Sequence, residues 1–250
     1  MTVITSDVRL ARSSSSVFSR SMSSFEQRAL AAGDFDILVD PMEVATEYKN
    51  LLNLRDRRGG RLVTARGGTL PTLTALNGRL GVQGNDAGGH MRVDYQLPSS
   101  YFVAAAFRTG TDFSTTNAII SSATQAGDRM LFGTIGSKLS LLHGGSFPLN
   151  ATTEIAPSTD YVAWATFDAE TMAAAIGVNA VTPEKALPLP ILHKGEAQTN
   201  FFGGEASWGF DAQFGPAVVS SGFLGGSIHE ARRAAILAWL GETVGVGIGA

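Results

Sequence analysis

From about residue 61 the chain is a succession of short apolar runs, each soon stopped by glycine, proline, asparagine or aspartate. Such a pattern points to strands joined by turns rather than to long helices. The run over residues 101–107 is the plainest case. Tyr101, Val103, Ala105 and Phe107 share one face, and Phe102, Ala104 and Ala106 share the other. A strand apolar on both faces is expected to be central and covered on both sides. Residues 129–135 and 138–142 read as a hairpin about Gly136-Ser137, and residues 161–167 with 171–178 as another about Asp168-Ala169-Glu170. The stretch 182–193 holds Pro183, Pro188 and Pro190, so it reads as a loop and not as a central strand. Twenty-nine glycines and 16% charged residues suit a turn-rich all-β chain, and 250 residues suffice for one large sandwich with a short extra region.

The chain closes differently. An apolar strand over residues 214–219 runs into the glycine-rich turn 222–226, then into Ser227-Ile228-His229-Glu230, which has the spacing of a helix capping box. Ala231, Ala235, Ile236, Trp239 and Leu240 follow at helical spacing, with Trp239 expected to pin the helix to the body. Gly241 and Gly245 are stop signals, and the glycines beyond read as a frayed tail.

The first sixty residues have another texture. Eight of the twelve residues 13–24 are serine, a composition that buries too little apolar surface to offset chain entropy, so residues 1–33 read as a flexible arm. Asp40-Pro41-Met42-Glu43 has the residues of a helix N-terminus. Val44, Tyr48, Leu51 and Leu52 then fall on one helical stripe, which would pack on its own sandwich or dock onto a neighbouring subunit. Arg55, Arg57 and Arg58, just before Gly59-Gly60, read as a solvated linker or as further assembly contacts. The expected division is therefore an arm and one amphipathic helix over 1–60, and a β domain over 61–250.

Several kinds of chemistry are disfavoured. The chain has no cysteine, and His90, His143, His193 and His229 lie far apart, so neither a thiolate nor a zinc site is expected. Glycan hydrolysis needs two carboxylates facing across one bond, and no strand carries acids at alternate positions within the β domain. Asp34 and Asp36 precede it, and Asp168 and Glu170 belong to a predicted turn. No G-x-S-x-G elbow occurs. Residues 67–250 carry a net charge of −5 against +2 for residues 1–66, so nucleic-acid binding is not expected of the body. No apolar run is long enough to span a membrane as a helix, and residues 1–7 lack the features of a secretory signal.

Three groups of residues carry a resemblance. In the closing segment Ser227, Glu230, Ala231, Arg232, Ile236, Trp239 and Leu240 are similar to the short last helix of LamG-like, or concanavalin A-like, jelly-roll domains. The stretch from Pro71-Thr72-Leu73 through Asn77-Gly78-Arg79 to Gly84-Asn85-Asp86 resembles the form of that family found in bacteriophage structural proteins, with Val82-Gln83-Gly84 where Phe-Asp-Gly is usual. Val178-Asn179-Ala180 and Phe201-Phe202-Gly203-Gly204 resemble two further strand ends of the same family. The resemblance implies an antiparallel jelly-roll β-sandwich with a short C-terminal helix. It also implies a non-enzymatic protein of a bacteriophage virion, held to other virion proteins by residues 1–60 and assembled as a homo-oligomer, often a trimer in such particles. The alternative is a carbohydrate-binding module for cell-surface glycans. For that role Asn85, Asp86, Asp94, Trp208 and Asp211 are the candidate glycan contacts, with a calcium ion compatible with the same loop rim and no other cofactor expected.

Overall fold

The strand at 101–107 is the spine of the molecule. The computed structural model describes residues 22–48, 51–111, 116–122, 129–145, 147–193, 198–204 and 208–248, with main chain only at 45–48 and 51. Helix α1 (Ser24–Ala32) comes first, followed by strands β1 (Ile37–Tyr48), β2 (Leu51–Asp56), β3 (Leu62–Arg66), β4 (Thr72–Leu76), β5 (Arg79–Gln83), β6 (His90–Val93) and β7 (Tyr101–Thr109). Then come β8 (Thr116–Ser121), β9 (Met130–Ile135), β10 (Lys138–His143), β11 (Leu149–Glu154), β12 (Asp160–Phe167), β13 (Ala173–Val178), β14 (Lys185–Pro188), β15 (Thr199–Phe201) and β16 (Ala212–Ser221). A 3-10 turn (Ser227–His229) leads into helix α2 (Glu230–Val244).

Every strand pairing among the described residues is antiparallel, and the hydrogen-bonded order is β11-β10-β9-β8-β15-β6-β3-β2-β1-β16-β7-β12-β13-β14. This path folds back on itself as a jelly-roll sandwich, with β1 carrying the pairing from one layer to the other. Between the layers lies the larger core, which takes Tyr101, Val103, Ala105 and Phe107 from β7. The opposite side chains of β7, Phe102, Ala104 and Ala106, join a second core with Trp164 and the apolar face of α2. Three layers result: helices, then a sheet around β7, then a second sheet. Both hairpins read from the sequence are present, and the proline-containing stretch 182–193 contributes only the edge strand β14.

The closing segment forms as a strand, turn and short helix, with Trp239 fully buried. Its cap differs from the expected one. The Ser227 side chain makes no capping bond; the backbone N–H of Glu230 donates to the Ser227 carbonyl, so the helix starts through a 3-10 turn. Gly241 does not stop the helix, because α2 runs on to Val244 and ends at Gly245, whose φ of 75° is the left-handed conformation glycine accepts without strain. Residues 246–248 are not frayed: Val246 N–H donates to Gly241 O at 2.9 Å, and Val246 and Ile248 pack on the helix-layer core.

The largest departure lies before residue 61. Residues 1–21 are outside the described part, but 24–32 form a helix capped by Ser23, whose hydroxyl accepts from Glu26 N–H at 3.1 Å. The segment expected to be an amphipathic helix is instead the hairpin β1–β2. Ile37, Leu38 and Val39 are fully buried and pair with Val219, Val218 and Ala217 of β16. Asp40, read as a helix cap, accepts from Met42 N–H at 3.0 Å within a bulge that falls between the Val39↔Asp56 and Val44↔Leu54 pairs. Pro41 sits in that same bulge, where its missing N–H costs no ladder bond. Val44 and Leu52 are buried in the inter-sheet core, and Tyr48 pairs with Leu51 near the hairpin end.

The three arginines bond to their own chain, Arg57 half-buried and Arg55 and Arg58 exposed. Arg55 donates to Gly60 O at 3.0 Å, and Arg58 to Phe35 O at 3.3 Å. Arg57 pairs with Glu26, Asp40 and Glu43, tying α1 to the hairpin. Residue 60 is therefore not a seam between an anchor and a sandwich. A cut there would remove a strand from the middle of the sheet, since β1 lies between β16 and β2.

Candidate functional site

With helices over one outer face of the sandwich, the outer face of the second sheet is the place to look for a ligand. Register makes that face polar. Asn53 of β2 stands opposite Thr64 of β3, Thr64 opposite Arg92 of β6, Arg92 opposite Asn200 of β15, and Asn200 opposite Ser121 of β8. Residues directly opposite on paired strands share a face. The adjoining Leu54, Val63 and Val93 belong to the inter-sheet core, which assigns the polar row to the outside. Beyond Ser121 the row turns apolar: Leu131 and Leu142 form a small cluster with Ala118 and the half-buried Trp208. The Arg129 guanidinium lies 5.0 Å from the Trp208 ring centre.

The open part of this face is a groove of about 340 Å³ lined by Leu62, Thr64, Arg66, Arg92, Asp94 and Gln198. Alternation along β3 places Leu62, Thr64 and Arg66 on the outside, and along β6 it does the same for His90, Arg92 and Asp94. The groove thus has two ends. Arg66 pairs with His90 at one end, and Asp94 lies beside Gln198 at the other, with Gln198 Nε2 donating to its carboxylate at 3.0 Å.

His90 and Asn200 aim the central arginine. His90 Nδ1 lies 3.0 Å from the Gly88 carbonyl, so Nδ1 carries the proton and donates. Nε2 is then free to accept from the Arg92 guanidinium at 3.1 Å, while Arg92 Nε donates to Asn200 Oδ1 at 3.0 Å. Burial lowers the His90 pKa below the ordinary histidine value, and the Arg92 and Arg66 charges lower it further. Burial likewise lowers the Arg92 pKa, with the Arg66 charge adding to it and Asp94 opposing.

The residues singled out in the sequence divide between two places. Asp94 lines the groove and Trp208 packs on the same outer face. Asn85, Asp86 and Asp211 belong to a turn cluster instead. The Asn85 side chain donates to Thr69 O at 2.9 Å and accepts from Ala87 and Gly89 N–H, which holds its own loop shut. Asp211 accepts from Gln83 at 3.2 Å. The segment after Trp208 presses against this turn: a Cβ on Gly209 would lie 2.2 Å from Asn85 O, so only glycine allows that approach. Among the described residues no group of three or more His, Cys, Asp or Glu side chains converges as a metal cage. Of the carboxylates considered for hydrolysis, Asp168 organises its turn by accepting from Ser100, Thr171 and the Glu170 N–H.

Thr64, Arg66, Arg92, Gln198 and Asn200 were not anticipated. The available signal was the alternation of polar side chains with Val63, Met91 and Val93 at period two. It does not say which strands become neighbours.

A second depression, of about 560 Å³, lies between β11 and β14 and is mainly apolar. Its rim carries Phe147, which is 94% exposed, and the half-exposed Leu187. Behind it, residues 189–193 are held by a buried cluster. His143 Nδ1 donates to Ile191 O at 2.9 Å, so the Tyr101 hydroxyl donates to His143 Nε2, at 2.5 Å. His193 packs edge-on against both rings and donates through Nε2 to Pro98 O at 3.1 Å.

No family model and no curated protein matches this sequence. Solved structures do resemble the fold. Domain 4 of the extracellular arabinanase AbnA from Geobacillus stearothermophilus, solved with arabinotriose, superposes with a TM-score of 0.59 at 12% identity, covering 73% of this chain and 91% of that one. The botulinum neurotoxin type C structure titled for cell entry dependent on two ganglioside molecules gives 0.59 at 13% identity, covering 83% of this chain and 53% of that one. The binding domain of botulinum neurotoxin DC with rat synaptotagmin II gives 0.58 at 13% identity, covering 82% and 51%. This chain spans about half the length of the toxin chains it resembles. The likeness is one of fold: an all-β sandwich.

Proposed function

We propose that this protein is a non-catalytic carbohydrate-binding module whose ligand lies on the open outer face of the second sheet. One observation carries the reading: one face of the sandwich is covered by helices, while the other carries a polar row in register across five adjacent strands, buried at Asn53, Asn200 and Ser121 and open to a groove at Thr64 and Arg92. Sugars are bound by such mixtures of polar groups and apolar patches, and Leu62, 49% exposed, supplies an apolar strip beside the groove. The fold likeness to the arabinanase domain solved with arabinotriose supports the same class of ligand. An oligosaccharide array followed by calorimetry tests it. At least one glycan class is expected to bind, and the double variant Asp94→Ala, Gln198→Ala to lose about tenfold in affinity, the loss of one or two hydrogen bonds. Absence of binding across neutral and acidic glycans, with and without calcium, would remove the proposal.

A second reading places the module in a larger assembly, such as a bacteriophage virion in which the chain forms a homo-oligomer. The observation that favours an assembly is the apolar groove between β11 and β14, with Phe147 at its rim and β14 as an edge strand. Light scattering of the full chain is expected to show an oligomer that Phe147→Ser dissociates. A monomer at all concentrations would sink self-association.

A further inference from the structure

We propose that the groove between β3 and β6 selects acidic sugars, taking a carboxylate or sulfate-ester substituent between Arg66 and Arg92. The inference rests on the glycan-binding reading and specifies its ligand.

Charge is the first argument. Residues 67–250 carry −5, yet this groove brings Arg66 and Arg92 together, with Asp94 its one acidic lining residue among the described residues. Register separates the two signs. Thr64 stands opposite Arg92, and Arg66 lies two residues further along β3. Asp94 lies two residues the other way along β6. Along a strand, four residues from His90 to Asp94 span roughly 13 Å. An acidic sugar fits this polarity, with its anion toward Arg66 and its hydroxyls toward Thr64, Asp94 and Gln198.

Orientation is the second argument. His90 accepts from one Arg92 nitrogen and Asn200 from another, so the guanidinium plane is set before any ligand arrives. A planar fork held in this way matches a planar or tetrahedral oxyanion. Arg66 is exposed and forms no hydrogen bond or ion pair among the described residues, so its guanidinium is available. The neutral state of His90 fits the same design, since a proton on Nε2 would oppose Arg92.

The test compares oligogalacturonate, its carboxyl-reduced neutral counterpart and a sulfated galactan in calorimetry, alongside a broad glycan array. The acidic ligands are expected to bind at least tenfold more tightly than the reduced one, and the advantage to fall as salt rises. The stronger of the two acidic arms identifies the anion as carboxylate or sulfate. Arg66→Ala should abolish the advantage while leaving the melting temperature unchanged. Arg108→Ala, an exposed arginine paired with Asp160 on the other sheet, should leave binding untouched. Equal affinity for acidic and reduced ligands, or an Arg66→Ala variant that keeps the acidic preference, overturns the inference and leaves glycan binding standing. Loss of all glycan binding in the wild-type protein would remove both.

Discussion

Replacing Arg233 by alanine is expected to destabilise the protein by about 3–5 kcal/mol, as much as emptying a large side chain from the core. Arg233 lies on α2, is 2% exposed, and spends its guanidinium on backbone carbonyls. Nε donates to Val181 O at 3.1 Å; one terminal nitrogen donates to Leu224 O and to Gly226 O, the latter at 2.7 Å. Its carbon sits 5.3 Å from the centre of the Trp164 ring. One side chain thereby clamps the loop after β13, the loop after β16 and the last helix. Alanine would leave buried carbonyls without donors, at roughly 1–3 kcal/mol each, and open a void beside Trp164. Relief of the buried guanidinium's desolvation offsets part of this. Denaturant unfolding should show a lower midpoint at unchanged slope, and the melting temperature should fall by about 10 °C. Arg233→Met keeps most of the packing and none of the donors, so it should recover less than half of the loss. A change below about 1 kcal/mol for alanine would mean that the loops hold themselves in place.

Acidification is expected to weaken the fold well before the carboxylates titrate. His143 is fully buried against Tyr101, Phe167 and His193, and burial, aided by the neighbouring His193, pushes its pKa down to about 3. In the unfolded chain the same imidazole takes a proton near pH 6.5. The stabilisation is therefore complete above pH 6.5 and is lost as pH falls from 6.5 toward 3, because only the unfolded chain binds the proton in that interval. The slope is about 1.4 kcal/mol per pH unit, which gives about 2 kcal/mol from His143 by pH 5. His193, whose pKa burial also lowers, acts in the same direction. Asp168 and Glu184 have lowered pKa values, so their contributions persist until the pH is below the ordinary carboxylate range. Denaturant midpoints between pH 5 and 7 isolate the histidines. His143→Gln keeps an acceptor for Tyr101 and a donor for Ile191 O without titrating, so its midpoint should vary less with pH than that of the wild type. Identical slopes in the two proteins would assign the acid sensitivity elsewhere. Leu189, Pro190 and Ile191 form part of the apolar groove wall, so its shape should change over the same interval.

How much of this was legible beforehand depends on the range of the interaction. The strand at 101–107 carries its environment in its own composition, because apolar side chains on both faces require cover on both sides. The hairpins about Gly136 and Asp168 were equally plain, since a two-residue or tight turn dictates the register of its flanking strands. The segment 40–52 was misread because local signals and long-range partners disagree there. Asp40-Pro41 and a stripe at helical spacing favour a helix, but Ile37, Leu38 and Val39 enter the sheet beside β16, and pairing with a strand some 180 residues away outweighs a few tenths of a kcal/mol of propensity. Arg57 shows the same dependence on long-range partners: once the hairpin forms, Glu26, Asp40 and Glu43 surround it.

The amino-acid sequence by itself determined the class of fold, the covered central strand and the closing helix pinned by Trp239, because these follow from residue periodicity and turn chemistry within about twenty residues. Only the tertiary structure decided the candidate site. Thr64, Arg92 and Asn200 come from strands far apart in the chain, and side chains at period two can face either side until the neighbouring strands are known. Register across β3, β6 and β15 places them in one row, and that register is a property of the assembled sheet.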